Sequence, residues 1–187
     1  MRPGSRSVSS KAGPSTRSPA SRVVSRIDTA IDKKVDDLGG DNAKALRGKV
    51  AIANAKIAYQ WYLDFLKTDR WRALAAKSAM PQRLLWASTG TKDPAYSDVL
   101  YLDTLIGSDT VNTVPPKTLE AFRDHGTVAE TLTADIDDAK HVLAEAERLG
   151  FDLNGVTDRL VEEGVASFAK AFDELLASIA KKRLATA

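Results

Sequence analysis

Apolar residues recur along this chain at two different intervals. From Val50 the positions Val50, Ala53, Ile57, Ala58, Trp61, Tyr62 and Phe65 fall at steps of three and four, which is one face of a long amphipathic helix. Asp28–Asp37 alternates acids and apolar residues at helical spacing and stops at Gly39-Gly40, and Asp41 or Asn42 is placed to cap the next segment. Trp71–Ala79 reads as a further helical piece broken by Pro81. Thr118–His125 is a short helix stopped by Gly126, and Thr133–Leu149 a longer one with Ile136, Ala139, Leu143 and Ala146 on one face. The last helix is expected to bury Val161, Val165, Phe168, Phe172, Leu175 and Ile179. It ends in Lys181-Lys182-Arg183, which suits the negative end of the helix dipole.

Three shorter runs are of another kind. Arg22–Ile27, Arg83–Ala87 and Thr110–Val114 are brief, rich in β-branched or large apolar residues, and bounded by turn formers or proline. They read as strands. The order strand, loop, helix, repeated, predicts a helix-rich α/β chain with about three parallel strands. In such folds the loop past a strand's carboxyl end carries the chemistry. Here that loop is Ser88-Thr-Gly-Thr-Lys92, with three hydroxyls, one glycine and one ammonium. These are the group types that hold a phosphate or a sugar.

Composition narrows the field. The chain has 187 residues, 43% of them hydrophobic and 28% charged, enough for one domain with a sizeable core. It lacks cysteine, which excludes a disulfide framework, a thiolate metal site and a cysteine nucleophile. Two histidines, His125 and His141, do not supply a histidine-rich metal site. A net charge of +2 exerts no strong pull on nucleic acid or membrane, and no apolar run reaches the roughly 20 residues that span a bilayer. These absences fit a cytoplasmic protein. Residues 1–20 differ from the rest, with six serines, three prolines, three arginines, one lysine and no acid. Such a segment buries too little apolar area to offset its ordering entropy, and it predicts a basic disordered tail ahead of a domain at 21–187. An organellar transit peptide and a nucleic-acid-binding arm are weaker readings of the same residues.

The candidate site residues have plain readings too. From pattern alone Arg26 is a surface arginine paired with Asp28 or Asp32, although a guanidinium at a strand's carboxyl end can hold a phosphate bidentately. Ser88 reads as a cap or turn serine and Lys92 as a solvated loop lysine. Gly90 would let a backbone approach a ligand closely. Asn112 and Thr113 read as ordinary strand-end hydrogen-bonding groups. Trp61, Tyr62, Trp71 and Trp86 are expected in the core, and the acid pairs Glu162-Glu163 and Asp137-Asp138 on solvated faces. No lysine lies in the middle of an apolar strand; Lys49 and Lys56 fall on helical patterns.

The stretches LWASTGTKDPAYSDVLY and DTVNTVPPKTLEAFRDHG resemble the carboxyl-terminal half of bacterial transaldolases, the actinobacterial type in particular. SRIDTAIDK, LRGKVAIANAKIAYQ and EGVASFAKAFDELLASI resemble the same family in the same order. The resemblance implies part of a (β/α)8 (TIM) barrel: strands six to eight with their helices, incomplete because such a barrel needs eight strands over about 250 residues. It implies a transferase of the pentose phosphate pathway. That enzyme moves a dihydroxyacetone unit between sugar phosphates through a lysine Schiff base, without metal or organic cofactor. Its substrates would be sedoheptulose 7-phosphate, fructose 6-phosphate, glyceraldehyde 3-phosphate and erythrose 4-phosphate. Ser21 and Ser88 would contact substrate, and Arg26 and Lys92 would bind its phosphate. Arg22 stands where the family usually has phenylalanine. The Schiff-base lysine belongs to the fourth strand, outside the matching blocks, so this chain alone is expected to be inactive and a separate amino-terminal half is a possible partner. The alternative is a non-enzymatic remnant, or an interaction module using exposed sheet edges around a residual phosphate site.

Overall fold

A computed structural model describes residues 21–185, and three short strands run through it: β1 Ser21–Val23, β2 Leu84–Ala87 and β3 Thr110–Asn112. They pair in parallel in the order β1-β2-β3, with Ser21 opposite Leu85, Val23 opposite Ala87, Leu84 opposite Thr110 and Trp86 opposite Asn112. Side chains alternate across a strand. Leu84 and Trp86 are accordingly buried on one face of β2, while Leu85 and Ala87 on the other are half-buried.

Among the described residues, eight helices accompany the sheet: α1 Val24–Leu38, α2 Asp41–Lys44, α3 Val50–Leu66, α4 Asp69–Ala75, α5 Leu100–Thr104, α6 Pro116–His125, α7 Ile136–Arg148 and α8 Leu153–Ala185. Gly39, at φ 69°, ends α1, and its N–H bonds the Val35 carbonyl. Pro116 opens α6, where its missing N–H is no loss. The core gathers Val24, Ile27, Ile31 and Val35 of α1, Val50, Tyr59 and Tyr62 of α3, Trp86 of β2, Tyr101, Leu132, and Ala139, Val142 and Ala146 of α7. The most extensive helix contact is α3 on α7. Ala51, Ala53, Ala55 and Ala58 are buried along α3, and their short side chains permit close packing.

The structure corrects several expectations. The run Arg22–Ile27 is not one strand. The strand ends at Val23 and α1 starts at once, because Val24 and Ile27 are needed in the helical core. Arg26 therefore sits in the first turn of a helix. Gly40, not Asp41 or Asn42, precedes α2. Trp61 is 41% exposed and stacks on Phe65 at a ring-centroid distance of 5.5 Å, and Trp71 is half-buried and meets the same ring at a tilt, 5.8 Å away, so only Trp86 and Tyr62 of the four aromatics are core. The largest correction falls on α8. Val161, Val165, Phe168, Phe172, Leu175 and Ile179 are all more than half exposed. The tail expected at residues 1–20 lies outside the described residues. Among the described residues no helix is long and apolar enough to cross a membrane, and no cluster of His, Cys, Asp and Glu is placed to hold a metal ion.

Candidate functional site

β1 and β2 are parallel, so the start of α1 and the loop after Ala87 leave the sheet at the same end. Ser88 turns the chain there in the left-handed region, at φ 58°. A side chain in that conformation costs about 1–2 kcal/mol and persists only when its surroundings hold it. Two bonds from α1 do so. The Ser25 N–H donates to the Ser88 carbonyl at 3.1 Å, and the two Oγ atoms lie 2.8 Å apart. On the other side the fully buried Thr89 donates its hydroxyl to Asn112 Oδ1 at 2.7 Å, and the Thr113 N–H bonds the Trp86 carbonyl at 3.0 Å. Asn112 and Thr113 thus serve as the strand-end hydrogen-bonding groups their pattern suggests. At Gly90 a methyl group would come within 3.2 Å of Thr118 Oγ1 and 3.3 Å of Pro115 Cγ, so its smallness admits the start of α6.

Beside this loop a cavity of about 340 Å³ opens; Ser25, Thr29, Arg47, Lys92, Asp93 and Tyr96 are on its wall. Its floor is a pair of carboxylates one turn apart on α1. Asp28 accepts the Ala51 N–H at 2.8 Å and the Tyr101 hydroxyl at 2.8 Å. Asp32 accepts the Gly48 N–H at 3.2 Å and the Tyr96 hydroxyl at 2.7 Å. Lys49, preceding α3, supplies no side-chain cap. Asp28 does so from another helix, taking one of the four N–H groups that a helix start leaves unpaired. Burial raises the Asp28 carboxyl from 3.8 to about 6, against the lowering effect of its two hydrogen bonds. Burial also pushes the Tyr101 and Tyr96 phenols upward, reinforced by the carboxylates they face. Arg47 ties the rim, bonding Asp36 and, at 2.5 Å, Asp93; its charged form is favoured chiefly by the bond to Asp36.

Not all of the predicted residues reach this cavity. Ser21 belongs to β1, opposite Leu85. Ser88 is half-buried against Ser25, and Lys92 is exposed on the cavity wall. Arg26 is exposed, has no hydrogen-bonding or ion-pair partner among the described residues, and does not line that cavity. Its expected partners, Asp28 and Asp32, face Tyr101 and Tyr96 instead. Ser25, Asp28, Asp32, Tyr96 and Tyr101 were not among the site residues expected from sequence. One signal did exist. Asp28 and Asp32 are four apart and interleaved with Ile27, Ile31 and Val35, so they ride the apolar face of α1. Lys56 is buried, but on α3, where its ammonium donates to the Ala134 carbonyl at 2.9 Å; no lysine lies on β1, β2 or β3.

The Ser25–Ser88 contact and the loop that carries Lys92 lie past the carboxyl ends of the neighbouring parallel strands β1 and β2, the end at which β/α folds place their sites. The chain is more narrowly placed by its sequence. Residues 9–179 match the Transaldolase/Fructose-6-phosphate aldolase family, and the chain belongs to that family. It is 48% identical over 164 residues to a transaldolase of Frankia alni, an alignment covering 87% of this chain and 44% of that protein. It is 49% identical over 160 residues to a transaldolase of Thiobacillus denitrificans, covering 86% and 45%, and 46% identical over 168 residues to one of Trichodesmium erythraeum, covering 87% and 44%. The chain therefore spans less than half the length of these relatives. The family implies a TIM-barrel-type fold, with which a helix-rich chain around a small parallel sheet is consistent.

Proposed function

We propose that this chain is the carboxyl-terminal part of a transaldolase-like barrel, contributing its strands six to eight. The complete enzyme, in the cytoplasm, would transfer a dihydroxyacetone unit between sugar phosphates through a lysine Schiff base. This portion would supply the phosphate and sugar contacts, and by itself would not turn over. The observation that carries the reading is the Ser25–Ser88 lock, 2.8 Å between hydroxyl oxygens, which ties the turn bearing Arg26 to the loop bearing Lys92. In that role the Arg26 guanidinium would take two phosphate oxygens in a planar fork, and the Lys92 ammonium would add a point charge. Ser21 and Ser88 would direct hydroxyls to the sugar. A Schiff base needs a lysine of lowered pKa in a dry pocket, and β1, β2 and β3 carry none.

Two measurements on the chain alone test this. Incubation with fructose 6-phosphate and borohydride should leave no trapped adduct; an adduct mapping to a single lysine refutes the assignment. Inorganic phosphate should raise the melting temperature by mass action, and Arg26→Ala should abolish the rise. A second reading, a remnant that serves as an interaction module, is favoured by one observation: the apolar side chains of α8 stand in solvent.

A further inference from the structure

The exposed apolar residues of α8 form a narrow seam. Val161, Val165, Phe168, Phe172, Leu175 and Ile179 follow one another at steps of four, three, four, three and four, the 3.5-residue average period of a helix that packs lengthwise against another helix. Projected down the helix axis, all six fall within a stripe about 80° wide. Every described residue from Val165 to Arg183 is exposed, Phe168 to 82%. A lone helix of these roughly five turns is marginal in water, because helices in proteins draw most of their stability from packing an apolar face. The base of α8 is anchored elsewhere on its circumference. Val156 is buried and Leu160 packs on the core, and both lie about a quarter turn or more from the middle of the seam. Fixing the base therefore leaves the seam uncovered.

Spacing and charge together point to the occupant. The order of steps reads the same in both directions. A second copy laid antiparallel about a two-fold axis between Phe168 and Phe172 sets Val161 on the partner's Ile179, Val165 on the partner's Leu175 and Phe168 on the partner's Phe172. No member of the seam is left over, as an isologous contact requires. The start of the seam carries Asp158, Glu162 and Glu163 against one base, Arg159, and its far end carries Lys181, Lys182 and Arg183. Antiparallel pairing brings these unlike ends together and opposes the two helix dipoles, whereas parallel pairing sets three bases on three bases. Ala169 and Ala171 flank the seam beside the axis, and side chains this short let two helices approach closely. We infer that α8 is a homodimerisation helix, along whose seam two copies of this chain pair antiparallel. The inference rests on the reading of the chain as an interaction module and makes no use of the phosphate site.

The test is sedimentation equilibrium of the full 187-residue chain up to about 100 μM, where even a weak specific dimer is populated. The mass should approach twice the 20.2 kDa of one chain. F168D/F172D should raise the dissociation constant at least about 30-fold, as loss of buried aromatic anchors does. Direction is read by cross-linking, which the absence of native cysteine makes clean. Val161→Cys mixed with Ile179→Cys should form a mixed disulfide under mild oxidation, and Val161→Cys alone should form none. A chain that stays monomeric, or a dimer indifferent to F168D/F172D, overturns the inference. So do a self-disulfide of Val161→Cys without the mixed one, which marks parallel pairing, and open-ended assembly beyond the dimer. The cross-links need no aspartate variant, so they decide the matter even if F168D/F172D misfolds. The phosphate-induced melting shift and its loss in Arg26→Ala need no second copy, so the dimer can fail while the reading of the site stands.

Discussion

Ser25 and Ser88, 63 positions apart, meet with their hydroxyl oxygens 2.8 Å apart, and the Ser25 N–H closes on the Ser88 carbonyl at 3.1 Å. The contact holds Ser88 in a left-handed conformation and joins the first turn of α1 to the loop after β2. Two opposing terms meet at this position. Ser25→Ala removes the hydroxyl contact alone and should lower stability by about 1 kcal/mol. Ser88→Gly loses the same contact but relieves a positive φ worth about 1 kcal/mol. It should fall within about 1 kcal/mol of the parent. Urea midpoints of the two variants check the order; a Ser88→Gly protein clearly less stable than Ser25→Ala would show that the turn is unstrained.

Asp28 sets an expected pH dependence. Its folded carboxyl sits at about 6, above the ordinary 3.8. Between these values the folded chain binds a proton that the unfolded chain releases, so this group's stabilisation is fully present below about 4 and is lost as pH rises through about 6. The difference is on the order of 2–3 kcal/mol at most. Asp28→Asn keeps an acceptor for the Ala51 N–H and removes the titration. The stability gap between variant and parent should change between about pH 4 and 7; parallel urea-midpoint profiles would rule Asp28 out as the source.

Tyr101→Phe takes one partner from a buried carboxylate and should destabilise by about 1–3 kcal/mol. Tyr96→Phe, at the part-buried Asp32 contact, should cost less. Equal losses, measured by chemical denaturation, would mean that the two carboxylates share one load.

The tryptophans should separate sharply. Trp86, fully buried in β2, should lose about 3–5 kcal/mol on truncation to alanine. Trp61→Gln, on a partly exposed aromatic stack, should change stability by about 0.5 kcal/mol or less. Similar midpoints for the two would contradict this difference in burial.

Arg26 has no partner among the described residues, so Arg26→Ala should leave the melt without added anion unchanged. Lys92→Ala should likewise lose the phosphate response and keep the resting stability. If either variant melts substantially lower without phosphate, the residue has a structural role and the site assignment weakens.

Much of this protein was legible in its residues because the signals are local. The helix from Val50, the strands around Leu84–Ala87 and Thr110–Asn112, and the stops at Gly39 and Gly126 come from period, β-branching and backbone freedom within one segment. The position of the loop holding Ser88 and Lys92, past the end of β2, was legible because a strand's end and a following turn are written in one segment. What only the tertiary structure decided is how segments far apart meet. Val24 and Ile27 read as strand until α3 and β2 pack around them as helix. Asp28 and Asp32 read as partners for Arg26 until Gly48, Ala51, Tyr96 and Tyr101 arrive from elsewhere in the chain. The seam from Val161 to Ile179 shows the limit most clearly. Periodicity states which face of a helix is apolar; it does not state what covers that face, because burial belongs to the pair of surfaces and the pattern belongs to one.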